Sequence, residues 1–317
     1  MTDMERTVQP LKGHIASFTA YVIFGLNIIA SKGLANSGAI SPLGLFCFRA
    51  IGASVLFWIA GLFIPKEKID KGDYLKIFAA SMIGLYLTQI AFLKAITQTT
   101  PTDAAILSAF APIMTMFFAA IFLKEPITFK KMFGVAMSFS GAILLVFNSV
   151  NTRGGADHTT PLGGLLLFVN CMAFAFYLGF FKPLIQKYHV VTFMKWMFLF
   201  SALASVPFDL KEIVTLPYSQ LPVSYLLQLG YLIVCATFIA YFLIPIGQQN
   251  LRPTLVSMYS YIQPLIATAV SVMIGMDRIT WQKVLSAVLV FGGVFVVNRS
   301  RQRGDRSAPV EGQVNAR

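Results

Sequence analysis

Residues 101–141 read PTDAAILSAFAPIMTMFFAAIFLKEPITFKKMFGVAMSFSG, and residues 253–293 read PTLVSMYSYIQPLIATAVSVMIGMDRITWQKVLSAVLVFGG. The two stretches align without a gap at an offset of 152 residues. Pro101-Thr102 recurs as Pro253-Thr254, Ser108 as Ser260, Pro112 as Pro264, Ile127-Thr128 as Ile279-Thr280, Lys131 as Lys283, Phe139 as Phe291 and Gly141 as Gly293, while Glu125 returns as the other carboxylate, Asp277. A duplicated chain whose copies each carry a proline inside a long apolar stretch predicts a matched pair of kinked helices with a site between the halves.

Outward from these stretches the whole chain is apolar. Of its 317 residues 56% are hydrophobic and 12% charged, against about a quarter charged in soluble domains, which excludes a soluble fold. Ten segments have the roughly 17 to 25 mostly apolar residues that cross a hydrocarbon core. They lie near 14–32, 42–64, 74–96, 102–123, 129–148, 162–181, 191–208, 223–247, 254–275 and 280–298. Their runs are unbroken rather than alternating, which excludes an outer-membrane barrel and makes the expected class an all-α integral membrane protein with ten transmembrane helices. Met1–Gly13 mixes Asp3 and Glu5 with Arg6 and Lys12, and Ile15–Ser31 offers no small-residue cleavage site, so the first span is expected to stay uncleaved.

Lys and Arg between the spans set the orientation, since the side that keeps them is normally cytoplasmic. One side collects Arg6, Lys12, Lys66, Lys68, Lys71, Lys76, Lys124, Lys130, Lys131, Lys182, Lys187, Arg252 and the tail arginines from Arg299 to Arg317; the other has Lys32, Lys94, Arg153, Lys211, Arg278 and Lys283. Both termini are therefore expected in the cytoplasm. Basic loops facing anionic lipid account for the net charge of +12 without nucleic acid. Five spans per copy is an odd number, so the second copy must enter from the opposite side: residues 1–150 form the first repeat, 151–300 the second, inverted one, and 301–317 a basic cytoplasmic tail. The polar link from Asn148 to Thr160, with Gly154-Gly155, is the boundary.

Several motifs resemble the EamA branch of the drug/metabolite transporter superfamily. Phe24-Gly25-Leu26-Asn27 followed by Ser31-Lys32 looks like that family's first-span motif, and Phe48-Arg49 like its Phe-Arg pair. Leu107-Ser108 through Pro112 to Lys124-Glu125-Pro126-Ile127-Thr128, then Gly134 and Gly141, is similar to its most recognisable stretch. Gln263-Pro264, Gly275-Met276-Asp277-Arg278-Ile279-Thr280 and Gly292-Gly293 repeat the pattern, with Asp277 where Glu is commoner. The resemblance covers all but the Arg-rich tail after Asn298. It implies two inverted five-helix repeats and solute transport across the inner membrane, often export of amino acids or other metabolites. It names no substrate, because the shared motifs are largely structural.

The candidate site starts from Pro112 and Pro264, about ten residues into their spans and so near mid-depth at roughly 1.5 Å per residue. A proline there frees the carbonyl one turn earlier, at Ser108 and Ser260. The alternative for both is a packing kink with no ligand contact. At the same level the polar and aromatic side chains are few: Asn27, Ser31, Gln89, Asn170, Tyr177, Tyr241, Tyr259, Tyr261 and Gln263. Tyr259 and Gln263, four apart, share a helix face. Arg49 is the one cation clearly inside a span. A charge there is costly, so it should face a wet cavity and hold a substrate carboxylate or a structural partner, for which Asp103 is the candidate. Asn27, Ser31, Arg49, Gln89, Tyr177, Tyr241, Tyr259 and Gln263 form the candidate substrate-binding set; for each of these other than Arg49 the alternative, taken singly, is an interhelical hydrogen bond or an interface aromatic.

No carboxylate falls at mid-depth, since Asp103, Glu125, Asp209 and Asp277 come at span ends, so facilitated diffusion or exchange is expected rather than proton coupling. His14, His158 and His189 have no metal spacing, and Cys47, Cys171 and Cys235 stand singly. Neither a metal, a cofactor nor an enzymatic activity is expected. The expected function is secondary transport of a small metabolite such as an amino acid, by a monomer. Import, flipping of lipid-linked cargo, and a receptor or channel role are the alternatives.

Overall fold

The computed structural model describes residues 9–36, 40–99, 108, 110–152, 160–215, 221–273 and 280–300. Every regular element among them is helical: α1 (Pro10–Asn36), α2 (Pro42–Ala60), α3 (Lys71–Ile96), α4 (Ala111–Leu123), α5 (Phe129–Thr152), α6 (Pro161–Phe180), α7 (Val190–Thr215), α8 (Val223–Asn250), α9 (253–273) and α10 (Trp281–Asn298), with a short helix, Lys182–Lys187, between α6 and α7. Six of these helices hold segments long and apolar enough to cross a membrane: Pro10–Ser31, Pro42–Phe63, Lys71–Ile96, Pro161–Phe180, Val190–Pro207 and Val223–Asn250. Ala111–Leu123 and Val284–Asn298 are apolar but shorter. Large apolar side chains such as Leu62, Phe129, Leu227 and Trp281 are exposed on the outer surface, a pattern stable only where the surroundings are lipid.

Local sequence sets the helix starts. Ser41-Pro42 and Thr160-Pro161 each place a hydroxyl at the N-cap and a proline in the first turn; Ser41 accepts from the Gly44 amide at 2.9 Å, and Thr160 from the Gly163 amide at 3.0 Å. Pro112 also lies in the first turn of its helix, and Pro264 is the third residue of the segment Ile262–Met273, which follows a tight 3-10 turn at Tyr259–Tyr261. Each proline thus stands near the start of a helical segment, where a missing N–H costs little. At its far end α4 stops on Lys124, the one non-glycine described residue with positive φ (53°). The left-handed turn sends the Glu125 amide back to the Ala119 carbonyl at 3.2 Å.

The sequence offset is visible in the helices themselves. α3 and α8 each contain one six-residue π-helical segment, Met82–Leu87 and Val234–Ile239, and these are equivalent residues of the two copies. Equivalent helices also pair with each other: α5 packs on α10, α2 on α7, and α4 on the start of α9. Helices that are not equivalent pair reciprocally, α1 with α8 and α9, and α6 with α3 and α4. The halves are therefore interleaved.

Equivalent helices run antiparallel. Along α2 and α7, Cys47 meets Ser205 at 3.4 Å, whereas Phe57 stacks on Phe198 with centroids 5.3 Å apart and Trp58 meets Trp196 edge-on. In the α5–α10 crossing, a Cβ on Gly134 would come 2.8 Å from the Gly293 carbonyl, and one on Gly141 would come 2.8 Å from the Ser286 carbonyl. Exchanging the copies turns the first contact into the second. Between them Ser138 donates to the carbonyl of Val290, its own equivalent, at 2.9 Å. Small residues let these backbones touch, as they do in membrane helix pairs generally.

Candidate functional site

A cavity of about 100 Å³ opens where α1, α2, α3, α4, α6, α8 and α9 converge. That is well above the roughly 10 to 15 Å³ that a single water needs, so the cavity has room for a small solute. It takes in Asn27, Arg49, Gln89, Tyr241 and Gln263 of the expected set, together with Ser108, Ser260 and Asn170. Its walls are aromatic, from Tyr21, Phe24, Phe92 and Phe174. Ring edges fix that wall, with Phe24 at 5.5 Å and Phe198 at 5.6 Å from Tyr241, centroid to centroid.

The cavity straddles the line that relates the two copies. Gln89 Nε2 donates to Tyr241 Oη at 2.6 Å, and the two side chains are equivalent residues. Ser108 and Ser260, another equivalent pair, both face the space. Asn170 Nδ2 donates to the Thr88 carbonyl at 2.8 Å, next to the π-helical segment of α3. Gly25, from the Phe-Gly-Leu-Asn stretch, brings α1 against the middle of α9: a Cβ there would stand 2.9 Å from Ile266 Cβ and 3.2 Å from the Gln263 carbonyl.

Arg49 is the one charged lining residue among those described. It is 1% exposed; Nε donates to Thr237 Oγ1 at 2.8 Å, Nη2 reaches the Ala236 carbonyl at 3.5 Å, and Nη1 has no partner among the described residues. Thr237 and Ala236 belong to the π-helical segment of α8, so the guanidinium ties α2 to that distortion. Asp103, its candidate partner, lies outside the described residues, as does Asp277.

Three members of the expected set line no part of the cavity. Ser31 turns back along α1 and donates to Asn27 Oδ1 at 3.2 Å. The ring of Tyr177 lies over Gly84, and its hydroxyl approaches the Met197 sulfur at 4.0 Å. Tyr259 pairs with His14 Nδ1 at 2.6 Å. Sequence reading passed over Tyr21 and Phe174 as lining residues. Tyr21, Phe24 and Ile28 at i, i+3 and i+7 form one stripe, and such a stripe around Asn27 was the available signal.

Toward the end of the molecule that carries Lys12 and Arg252 lies a group of charged contacts, of which the one between Thr254 and Glu125 crosses between the halves. Lys131 Nζ meets Glu125 Oε2 at 2.5 Å, Thr254 Oγ1 lies 3.4 Å from the same oxygen, and Arg252 donates to the Val297 carbonyl at 2.9 Å. Lys182 Nζ donates to the Leu251 carbonyl at 2.7 Å. Burial pushes the Lys182 amine down to about 8, against the opposing pull of Glu125.

A helical bundle with an apolar exterior, two interleaved copies and a polar cavity on the line between them has the construction of a membrane transporter. The chain belongs to the EamA-like transporter family, whose model matches residues 11–147 and again 161–299. It is thus a multi-pass membrane transporter built of two EamA repeats, and not an enzyme. Among its relatives, a Salmonella typhimurium protein described as an uncharacterized inner membrane transporter, YicL, is 22% identical over 302 residues, 94% of this chain and 98% of its own. An Escherichia coli protein named a probable amino-acid metabolite efflux pump is 24% identical over 298 residues, 90% of this chain and 94% of its own. One solved crystal structure superposes with a TM-score of 0.72 at 18% identity, covering 91% of this chain and 98% of that one; this is a likeness of fold.

Proposed function

We propose that the chain is a secondary transporter that exports small metabolites such as amino acids across the cell's inner membrane by alternating access. In this reading α1 to α10 make ten crossings as two inverted five-helix repeats, 1–150 and 151–300, with both termini cytoplasmic and residues 301–317 a basic tail. The observation that carries it is the cavity on the line between the halves, with the equivalent residues Gln89 and Tyr241 joined across it. A site on a pseudo-two-fold axis can be exposed to one side by one half and to the other by its counterpart. Antiparallel pairing of equivalent helices supports the inversion. Amino-acid export is supported by the name of the Escherichia coli relative. No carboxylate is among the described lining residues, which supports facilitated diffusion or exchange.

The test is release from liposomes. The full chain is reconstituted into vesicles loaded with a labelled mixture of amino acids, organic acids and sugars, and the external solution is followed by mass spectrometry. Selective release of one solute class, slowed by Gln263→Ala, is the expected result. Release indistinguishable from protein-free vesicles, with the protein folded, refutes the reading.

A further inference from the structure

We propose that Arg49 is the recognition element for a substrate carboxylate, so that the cavity accepts organic carboxylates, zwitterionic amino acids included, and rejects amines and alcohols that lack one. The inference rests on the transport reading and deepens it.

Three buried polar atoms without a hydrogen-bond partner among the described residues belong to lining residues of this one cavity: Arg49 Nη1, Tyr21 Oη and Ser260 Oγ. Two are hydroxyls, which can donate or accept, and the third belongs to a guanidinium, which can only donate. A solute that satisfies all three must offer at least one strong acceptor. Charge decides which. A buried cation without a counter-ion is costly, no lining residue among those described carries a carboxylate, and a guanidinium fork matches a carboxylate better than any neutral acceptor. Thr237 holds Nε, which fixes the plane of the fork and leaves Nη1 for the solute.

The charge also breaks the two-fold relation. The equivalent of Arg49 in the second copy is Ser201, a buried hydroxyl 2.7 Å from Ser81 Oγ. A carboxylate therefore has one place to bind, not two. The aromatic walls are left for the rest of the solute, where an amino acid's ammonium can lie against the ring faces of Phe24 or Tyr241.

The experiment uses the reconstituted full chain and vesicles loaded with amino acids, the amino alcohols of the same side chains (leucine with leucinol, phenylalanine with phenylalaninol), hydroxy acids and sugars. The expected result is release of carboxylates over their matched alcohols by about tenfold or more, the scale of one charge-assisted hydrogen bond. Arg49→Gln should abolish that preference, Arg49→Lys keep its direction, and Asp103→Asn leave it unchanged. Thermal unfolding in detergent identifies variants that fail to fold, and Thr237→Val, which displaces the fork without removing its charge, serves if Arg49→Gln is one of them; it should reduce the preference. Equal release of alcohols and acids, or a preference that survives Arg49→Gln or Thr237→Val in folded protein, overturns the inference while transport stands. A preference lost equally in Asp103→Asn and Arg49→Gln also overturns it, by making Asp103 the counter-ion. Release of nothing from the wild type refutes the transport reading and this inference together.

Discussion

Gln89 Nε2 donates to Tyr241 Oη at 2.6 Å, and the two residues occupy the same place in the two halves of the chain. Each lies two residues past the π-helical segment of its helix, Met82–Leu87 or Val234–Ile239. Such segments displace the following turn relative to a regular helix, and they are frequent at functional sites. Here two of them flank the residues that meet across the cavity.

Tyr241→Phe leaves the Gln89 carboxamide buried without its acceptor. The expected loss is about 1 to 3 kcal/mol of stability, with slower solute release. Gln89→Leu combined with Tyr241→Phe should lose less than the sum of the single changes, with a coupling of about 0.5 to 3 kcal/mol. Thermal unfolding of the four proteins measures it, and additive losses would mean the bond contributes nothing.

The α5–α10 crossing separates two adjacent glycines. A Cβ on Gly293 would run into the Gly134 carbonyl and stand 2.8 Å from the Ser138 amide nitrogen, backbone that cannot yield, whereas one on Gly292 meets only the end of Met137, at 2.7 Å. Gly293→Ala should cost about 1 to 3 kcal/mol, and Gly292→Ala no more than about 0.5 kcal/mol. Unfolding temperatures of the two variants in one detergent make the comparison.

Lys182 gives a dependence on pH. Burial holds its amine at about 8, below the 10.5 of a free lysine. Between those values the folded chain carries fewer protons than the unfolded one, so this group makes stability rise with pH across the window and level off above it. The unfolding temperature of the wild type relative to Lys182→Met should therefore increase from pH 8 to 10.5. A difference that stays flat would place the ammonium in water.

The duplication and the crossing glycines were legible in sequence, because identical residues recur at a fixed offset and helix packing selects small side chains. Asn27, Arg49, Gln89, Tyr241 and Gln263 were legible for another reason: a polar group amid apolar residues must find a partner or water. The same rule could not separate Ser31, Tyr177 and Tyr259, whose partners are Asn27, Met197 and His14. A hydroxyl satisfied by its own helix or by a neighbour reads like one aimed into a cavity. The π-helical segments left no sequence signal, since MIGLYL and VCATFI suit an ordinary helix. Nor does propensity alone say whether Pro112 and Pro264 bend a helix or open a helical segment.

Alternating access through the cavity on the axis is the central claim, and labelling a single cysteine from both sides tests it most directly. Cys47, Cys171 and Cys235 are replaced by alanine, Ser260→Cys is introduced, and a membrane-impermeant thiol reagent is applied to vesicles from the outside alone or the inside alone. The account predicts labelling from either side, slowed in both cases by a transported solute. Labelling from one side only, whatever the solute gradient, would contradict it.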